Sequence, residues 1–121
     1  MGVKKNNTII IVEDDPSMLY VLRRFVESSR CRALVTTQGK TAVSLAEQEA
    51  PIMIIIGVQL AEIDGCSVLQ NLRQNTWTQH IPVILVSNSV DEKCYTAEGV
   101  IGYLTVPLLY QNFLTLMTPF L

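Results

Sequence analysis

The chain has 121 residues, 49% of them hydrophobic, and a formal net charge of -2, which suits one domain with its own core and excludes a disordered or fibrous polypeptide. Its basic residues are scattered, with Lys4-Lys5 and Arg23-Arg24 the adjacent pairs, which excludes a protein held to nucleic acid or anionic lipid by broad charge attraction. No apolar run approaches the roughly 20 residues of a membrane span, so the expected location is cytoplasmic. Cys31, Cys66 and Cys94 lack CxxC or Cys/His ligand spacing; three reduced thiols are expected, and no zinc site.

The β-branched run Ile9-Ile10-Ile11-Val12 predicts a buried strand. Pro16 to Arg30 places Met18, Leu19, Leu22 and Val26 at helical spacing and leaves Arg23, Arg24, Glu27 and Arg30 for solvent. Ala33 to Thr36 predicts a second strand. Gly39 then opens a helix over Lys40 to Glu49, with Ala42, Val43, Leu45 and Ala46 inward and Pro51 as its stop. Ile52 to Ile56 is apolar throughout, the mark of a central strand covered on both faces. A helix over Cys66 to Gln74 and a strand over Ile81 to Val86 follow. Ser89-Val90-Asp91-Glu92 has the form of a capping box opening a fourth helix. A fifth strand over Ile101 to Val106 and a last helix over Leu108 to Met117 complete the pattern. Strand and helix alternate with short connections, which predicts a single α/β domain over residues 1–121 with a doubly wound parallel five-stranded sheet.

Glu13-Asp14-Asp15 follows the first strand directly, and in open parallel sheets ligands and chemistry gather beyond the carboxyl ends of the strands. Three adjacent anions repel, so a metal ion, a lysine or helix-terminal amides normally compensate them. The bland reading is a solvated strand-end cluster relieved by amides at the start of the Pro16 helix.

Taken together, Ile9 to Pro16, Pro51 to Ile56, Ile63-Asp64-Gly65, Ile81 to Ser87 and Gly99 to Pro107 resemble, in order and spacing, the receiver domain of the two-component response regulators. The resemblance covers essentially the whole chain. It implies a flavodoxin-like (βα)5 fold and a place in phosphorelay signal transduction. It also implies an acidic pair that holds Mg²⁺, an aspartate after the third strand that accepts a phosphoryl group, a Ser/Thr after the fourth that bonds it, and a lysine before a proline after the fifth. Glu13 and Asp14 match the acidic pair, Ser87 the hydroxyl and Tyr103 the aromatic switch position. Gly57 stands where the acceptor is expected and Val106 where the lysine is expected.

Phosphoryl transfer to a carboxylate needs an in-line nucleophilic oxygen and cations on the phosphoryl oxygens. Glycine and valine supply neither, and a lysine without its anionic partner would be a poorly compensated charge beside the core. The expectation is a degenerate pseudo-receiver: not an enzyme, without a cofactor, binding Mg²⁺ weakly if at all through Glu13 and Asp14. The alternatives are a receiver phosphorylated at a non-standard residue and a Mg²⁺-dependent α/β enzyme. Asp64 before Gly65 is ordinary turn chemistry rather than a substitute acceptor. Gln38-Gly39-Lys40-Thr41 resembles the end of a P-loop, but Leu34 stands where that pattern needs glycine. His80 reads as solvated, and Trp77 as a partial lid on the core.

From Gly99 to Leu121 there is no charged residue and no histidine, although a surface helix ordinarily shows a charged face. The region between Ser87 and Val106 is also about one helical turn shorter than the family pattern. In receivers the fourth helix, fifth strand and fifth helix form the face that dimerises or signals. A protein partner or a homodimer is therefore expected there, through Tyr103, Leu108, Leu109, Phe113, Leu116 and Met117, with no role in binding nucleic acid or membrane.

Overall fold

Three five-residue runs, TIIIV, MIIIG and VILVS, are buried at every position. Each is a central strand with helices on both faces, which is why apolar residues run on without alternation. The computed structural model describes residues 6–88, 97 and 99–121. Among them the strands are β1 (Thr8–Val12), β2 (Arg32–Thr36), β3 (Met53–Gly57), β4 (Val83–Ser87) and β5 (Val100–Thr105). All pair in parallel, in the order β2-β1-β3-β4-β5. The edge strands β2 and β5 are half-exposed. Every predicted strand is present, displaced by no more than two residues at either end, the scatter ordinary for element ends.

The helices are α1 (Pro16–Ser28), α2 (Ala42–Glu49), α3 (Gly65–Arg73) and α4 (Tyr110–Met117). A 3₁₀ turn, Gly39–Thr41, precedes α2, and another, Thr118–Phe120, follows α4. The fourth helix expected from Ser89, and with it the shortened segment, lies outside the described residues. On one face of the sheet Ile9, Ile11, Met53, Ile55, Ile84 and Val86 pack with Leu22, Phe25 and Val26 of α1 and with Phe113 and Met117 of α4. On the other, Ile10, Val12, Ile54, Ile56, Val83 and Leu85 pack with Ala42 and Ala46 of α2 and Val68, Leu69 and Leu72 of α3. Phe25 ties α1 to α4, its ring centroid 5.4 Å from that of Tyr110 and 5.6 Å from that of Phe113.

Three expectations change at this level. Phe113 and Met117, assigned above to a partner surface, are fully buried. They lie four residues apart on one side of α4, and that side is the stripe packed against the sheet. Trp77 is 74% exposed and lids nothing. Cys66 is disulfide-bonded, while Cys31 is a buried free thiol; spacing along a chain says nothing of which thiols meet in space.

The sheet order reverses direction between β1 and β3, and the carboxyl ends of these neighbouring strands bound the crevice where doubly wound folds place their ligands. The chain leaves β1 at Glu13 and leaves β3 at Gly57.

Candidate functional site

Glu13 is 2% exposed, so the solvated cluster read from the sequence describes it wrongly. Its carboxylate turns back over the strand end. There Oε2 accepts the N–H of Asp14 at 3.0 Å and that of Asp15 at 3.1 Å. The other oxygen lies against Gly57: a Cβ on Gly57 would collide with Glu13 Oε1 and come within 2.9 Å of its Cδ. Burial pushes the carboxyl above its ordinary pKa. The two N–H bonds pull it down and the neighbouring Asp14 and Asp15 charges raise it again, with the net effect upward.

The other two acids also serve the backbone. Asp14 accepts the N–H of Ala61 at 2.7 Å and so ties the β1 end to the loop after β3. Asp15 is the N-cap of α1, accepting from Ser17 N at 2.8 Å and Met18 N at 3.3 Å. Helix-start amides do relieve part of the cluster, as expected. Asp64 caps α3 through the N–H of Cys66 at 2.8 Å, consistent with its reading as turn chemistry.

Across the crevice, β3 and β4 stay paired one step beyond the strand, with the N–H of Val58 2.8 Å from the carbonyl of Val86. This brings Gln59 beside the end of β4. Gln59 Nε2 donates to Ser87 Oγ at 3.0 Å, and the N–H of Asn88 donates to Gln59 Oε1 at 3.3 Å. Ser87 is fully buried. Gln59 has no motif to mark it and was missed in the sequence; its sole signal is a place two residues beyond Gly57. The loop over residues 58–64 lines a shallow cleft of about 370 Å³. It is closed by the approach of Gly65 to Gly57, where a Cβ on Gly65 would strike the Gly57 carbonyl oxygen and lie 2.7 Å from Val58 Cα.

Val106 follows β5 at the head of a cis Val106–Pro107 bond and is 54% exposed. A lysine at this position would not be desolvated beside the core, so burial cost does not explain its absence, contrary to the sequence argument. Tyr103 on β5 is exposed, Leu109 is exposed, and Leu108 and Leu116 are half-buried. His80 is exposed, as expected.

These residues do not fit a hard divalent cation as they stand. The Glu13 carboxylate is turned back over the strand end, Asp14 accepts from the Ala61 amide, and Gly57 contributes no side-chain oxygen. Among the described residues no group of three or more His, Cys, Asp and Glu side chains converges to hold a metal ion.

The sequence profile of the response regulator receiver domain matches residues 9–114. The chain belongs to that family. This receiver is 28% identical over 117 residues to the polar-differentiation response regulator DivK of Brucella anthropi, covering 94% of this chain and 95% of DivK. A putative response regulator from Chloroflexus aurantiacus superposes with a TM-score of 0.85 at 23% identity, over 96% of this chain and 98% of that one. The receiver domain of a Pseudomonas aeruginosa sensor histidine kinase, solved with a magnesium ion coordinated in its active site cleft, gives 0.85 at 21%, over 96% and 98%. The receiver fold read from the sequence is therefore the fold of this chain. Among the described residues no helix is long and apolar enough to cross a membrane.

Proposed function

We propose that this receiver works in signal transduction without aspartyl phosphorylation, as a pseudo-receiver whose output is protein–protein contact. The observation that carries the reading is at Gly57, where there is no nucleophilic oxygen and the Glu13 carboxyl occupies the adjoining space. An acyl phosphate forms when a carboxylate oxygen attacks phosphorus in line with the leaving group, with cations absorbing charge on the equatorial oxygens. Val106 brings no cation, and the acidic pair accepts three backbone N–H bonds.

The contact surface is the face built around β5 and α4. Tyr103, Val106 and Leu109 are exposed. Tyr103 and Leu116 border a shallow groove of about 280 Å³ with Leu104, Thr105, Asn112 and Thr115. With Phe113 and Met117 turned inward, Tyr103, Leu109 and the outer edges of Leu108 and Leu116 remain to meet a partner, and an uncharged apolar surface of this kind ordinarily marks an interface. Either a second copy or another protein of the pathway fills this role.

The test is incubation with a small-molecule phosphodonor and Mg²⁺ followed by intact mass measurement. No added phosphoryl group is expected. A gain of one phosphoryl on the folded protein would overturn the reading and return the chain to the phosphorylated receivers, with a non-standard residue as acceptor.

A further inference from the structure

We propose that the Gln59 side chain is an internal substitute for the phosphoryl group, holding the carboxyl end of β4 in a single setting. The inference rests on the phosphorylation-independent reading above and adds the residue that replaces the modification. Two polar groups at the end of β4 meet one planar amide. The Ser87 hydroxyl takes the Nε2 hydrogen at 3.0 Å, and the Asn88 N–H reaches Oε1 at 3.3 Å. The contact from Ser87 Oγ to Oε1, at 3.5 Å, is at the limit of a hydrogen bond, so the hydroxyl acts here as acceptor.

A phosphoryl oxygen offers acceptors alone, whereas a carboxamide offers one acceptor and one donor. A hydroxyl can play either part, so the amide serves both β4 groups without any charge. Register explains why Gln59 is within reach. Gly57 pairs with Val86, and the Val58 bond to Val86 prolongs the pairing, so the residue after Val58 comes level with the residue after Ser87. Gln59 is itself exposed and closes over a hydroxyl that is fully buried, and a buried hydroxyl needs hydrogen-bond partners.

The setting reaches the partner face through the sheet. Leu85 pairs with Tyr103 and Ser87 with Thr105, so Ser87 and Tyr103 stand on the same face of adjacent strands, one pleat apart. Fixing Ser87 therefore fixes the strand end against which Tyr103 is arranged. A receiver with a removable phosphoryl has two settings at this point, and one with a covalently attached amide has one.

The experiment is hydrogen exchange and ring-proton NMR on the wild type and on Gln59→Leu and Gln59→Glu. In the wild type the Gln59 side-chain amide and the Asn88 backbone amide are expected to exchange slowly. Gln59→Leu keeps the bulk and removes both bonds, so the Asn88 amide should exchange about tenfold faster, the scale set by losing one net hydrogen bond, and the Tyr103 ring signals should move. Gln59→Glu, whose carboxylate accepts from both groups, should restore Asn88 protection and the Tyr103 signals. That rescue separates a positioning role from loss of bulk. Free-peptide exchange of the Gln59 amide in the wild type, or a folded Gln59→Leu protein with unchanged Asn88 and Tyr103, would overturn the proposal. Phosphoryl mass gain would remove the underlying reading and leave these exchange rates as measured, so the two failures are distinguishable.

Discussion

The Glu13 carboxyl lies in the space that a side chain on Gly57 would need. Glycine at the end of β3 leaves the room that the inward glutamate at the end of β1 fills. In a doubly wound sheet these two strand ends flank the crevice, so the pair also decides what the crevice can hold.

Removing the Glu13 charge should stabilise the protein at neutral pH. Burial raises the folded-state pKa above 4.5, so the fold favours the protonated form. That contribution is complete below the unfolded value and is lost as pH rises through the folded one. Glu13→Gln, always neutral, is expected to raise Tm at pH 7.5 and to match the wild type below pH 4.5, with about 1.4 kcal/mol for each unit by which the folded value is lifted. Thermal unfolding followed across this range checks it; a constant difference between the two proteins would contradict the assignment.

Alanine should be tolerated at Gly57 and not at Gly65. A Cβ at Gly57 meets the far end of a flexible side chain, whereas one at Gly65 meets the carbonyl of Gly57 and the Cα of Val58. Gly57→Ala is expected to swing Glu13 outward at a cost below about 1 kcal/mol, and Gly65→Ala to cost about 1–3 kcal/mol by overpacking against backbone. Urea denaturation of both variants tests the order. A carbon-13 NMR titration should also show Glu13 in Gly57→Ala ionising closer to the ordinary glutamate value.

Magnesium should not stabilise this chain. A ligand that binds only the folded state raises stability by RT ln(1 + [L]/Kd), and Glu13 and Asp14 already serve three backbone amides. Adding about 5 mM Mg²⁺, a concentration that would report a sub-millimolar site through this relation, is expected to leave Tm unchanged at constant ionic strength. A clear upward shift would mean that Glu13 turns outward more readily than its buried position implies.

The β5–α4 face should carry the association. Leu109 is exposed and Phe113 is fully buried, so substitutions at the two positions should separate contact from stability. Leu109→Glu is expected to abolish self-association or partner binding with Tm almost unchanged, whereas Phe113→Ala should cost about 3–5 kcal/mol of stability. Sedimentation velocity over a concentration series, with melting curves, distinguishes them; a wild type that stays monomeric throughout would exclude the homodimer and leave a different protein as partner.

By itself the amino-acid sequence determined the alternation of strands and helices and the receiver fold, because β-branched runs such as Ile9 to Val12 and apolar spacing such as Leu22 and Val26 are short-range signals. It also determined that position 57 bears no carboxylate and position 106 no cation, since composition at a site needs no coordinates. Only the tertiary structure decided where Glu13 points, that Gln59 closes on Ser87, that Trp77 is exposed, that Phe113 and Met117 belong to the core, and that Cys66 is paired. Those outcomes depend on which distant groups fill a vacated volume or satisfy a buried hydrogen-bonding atom, and that competition exists once the strands are side by side.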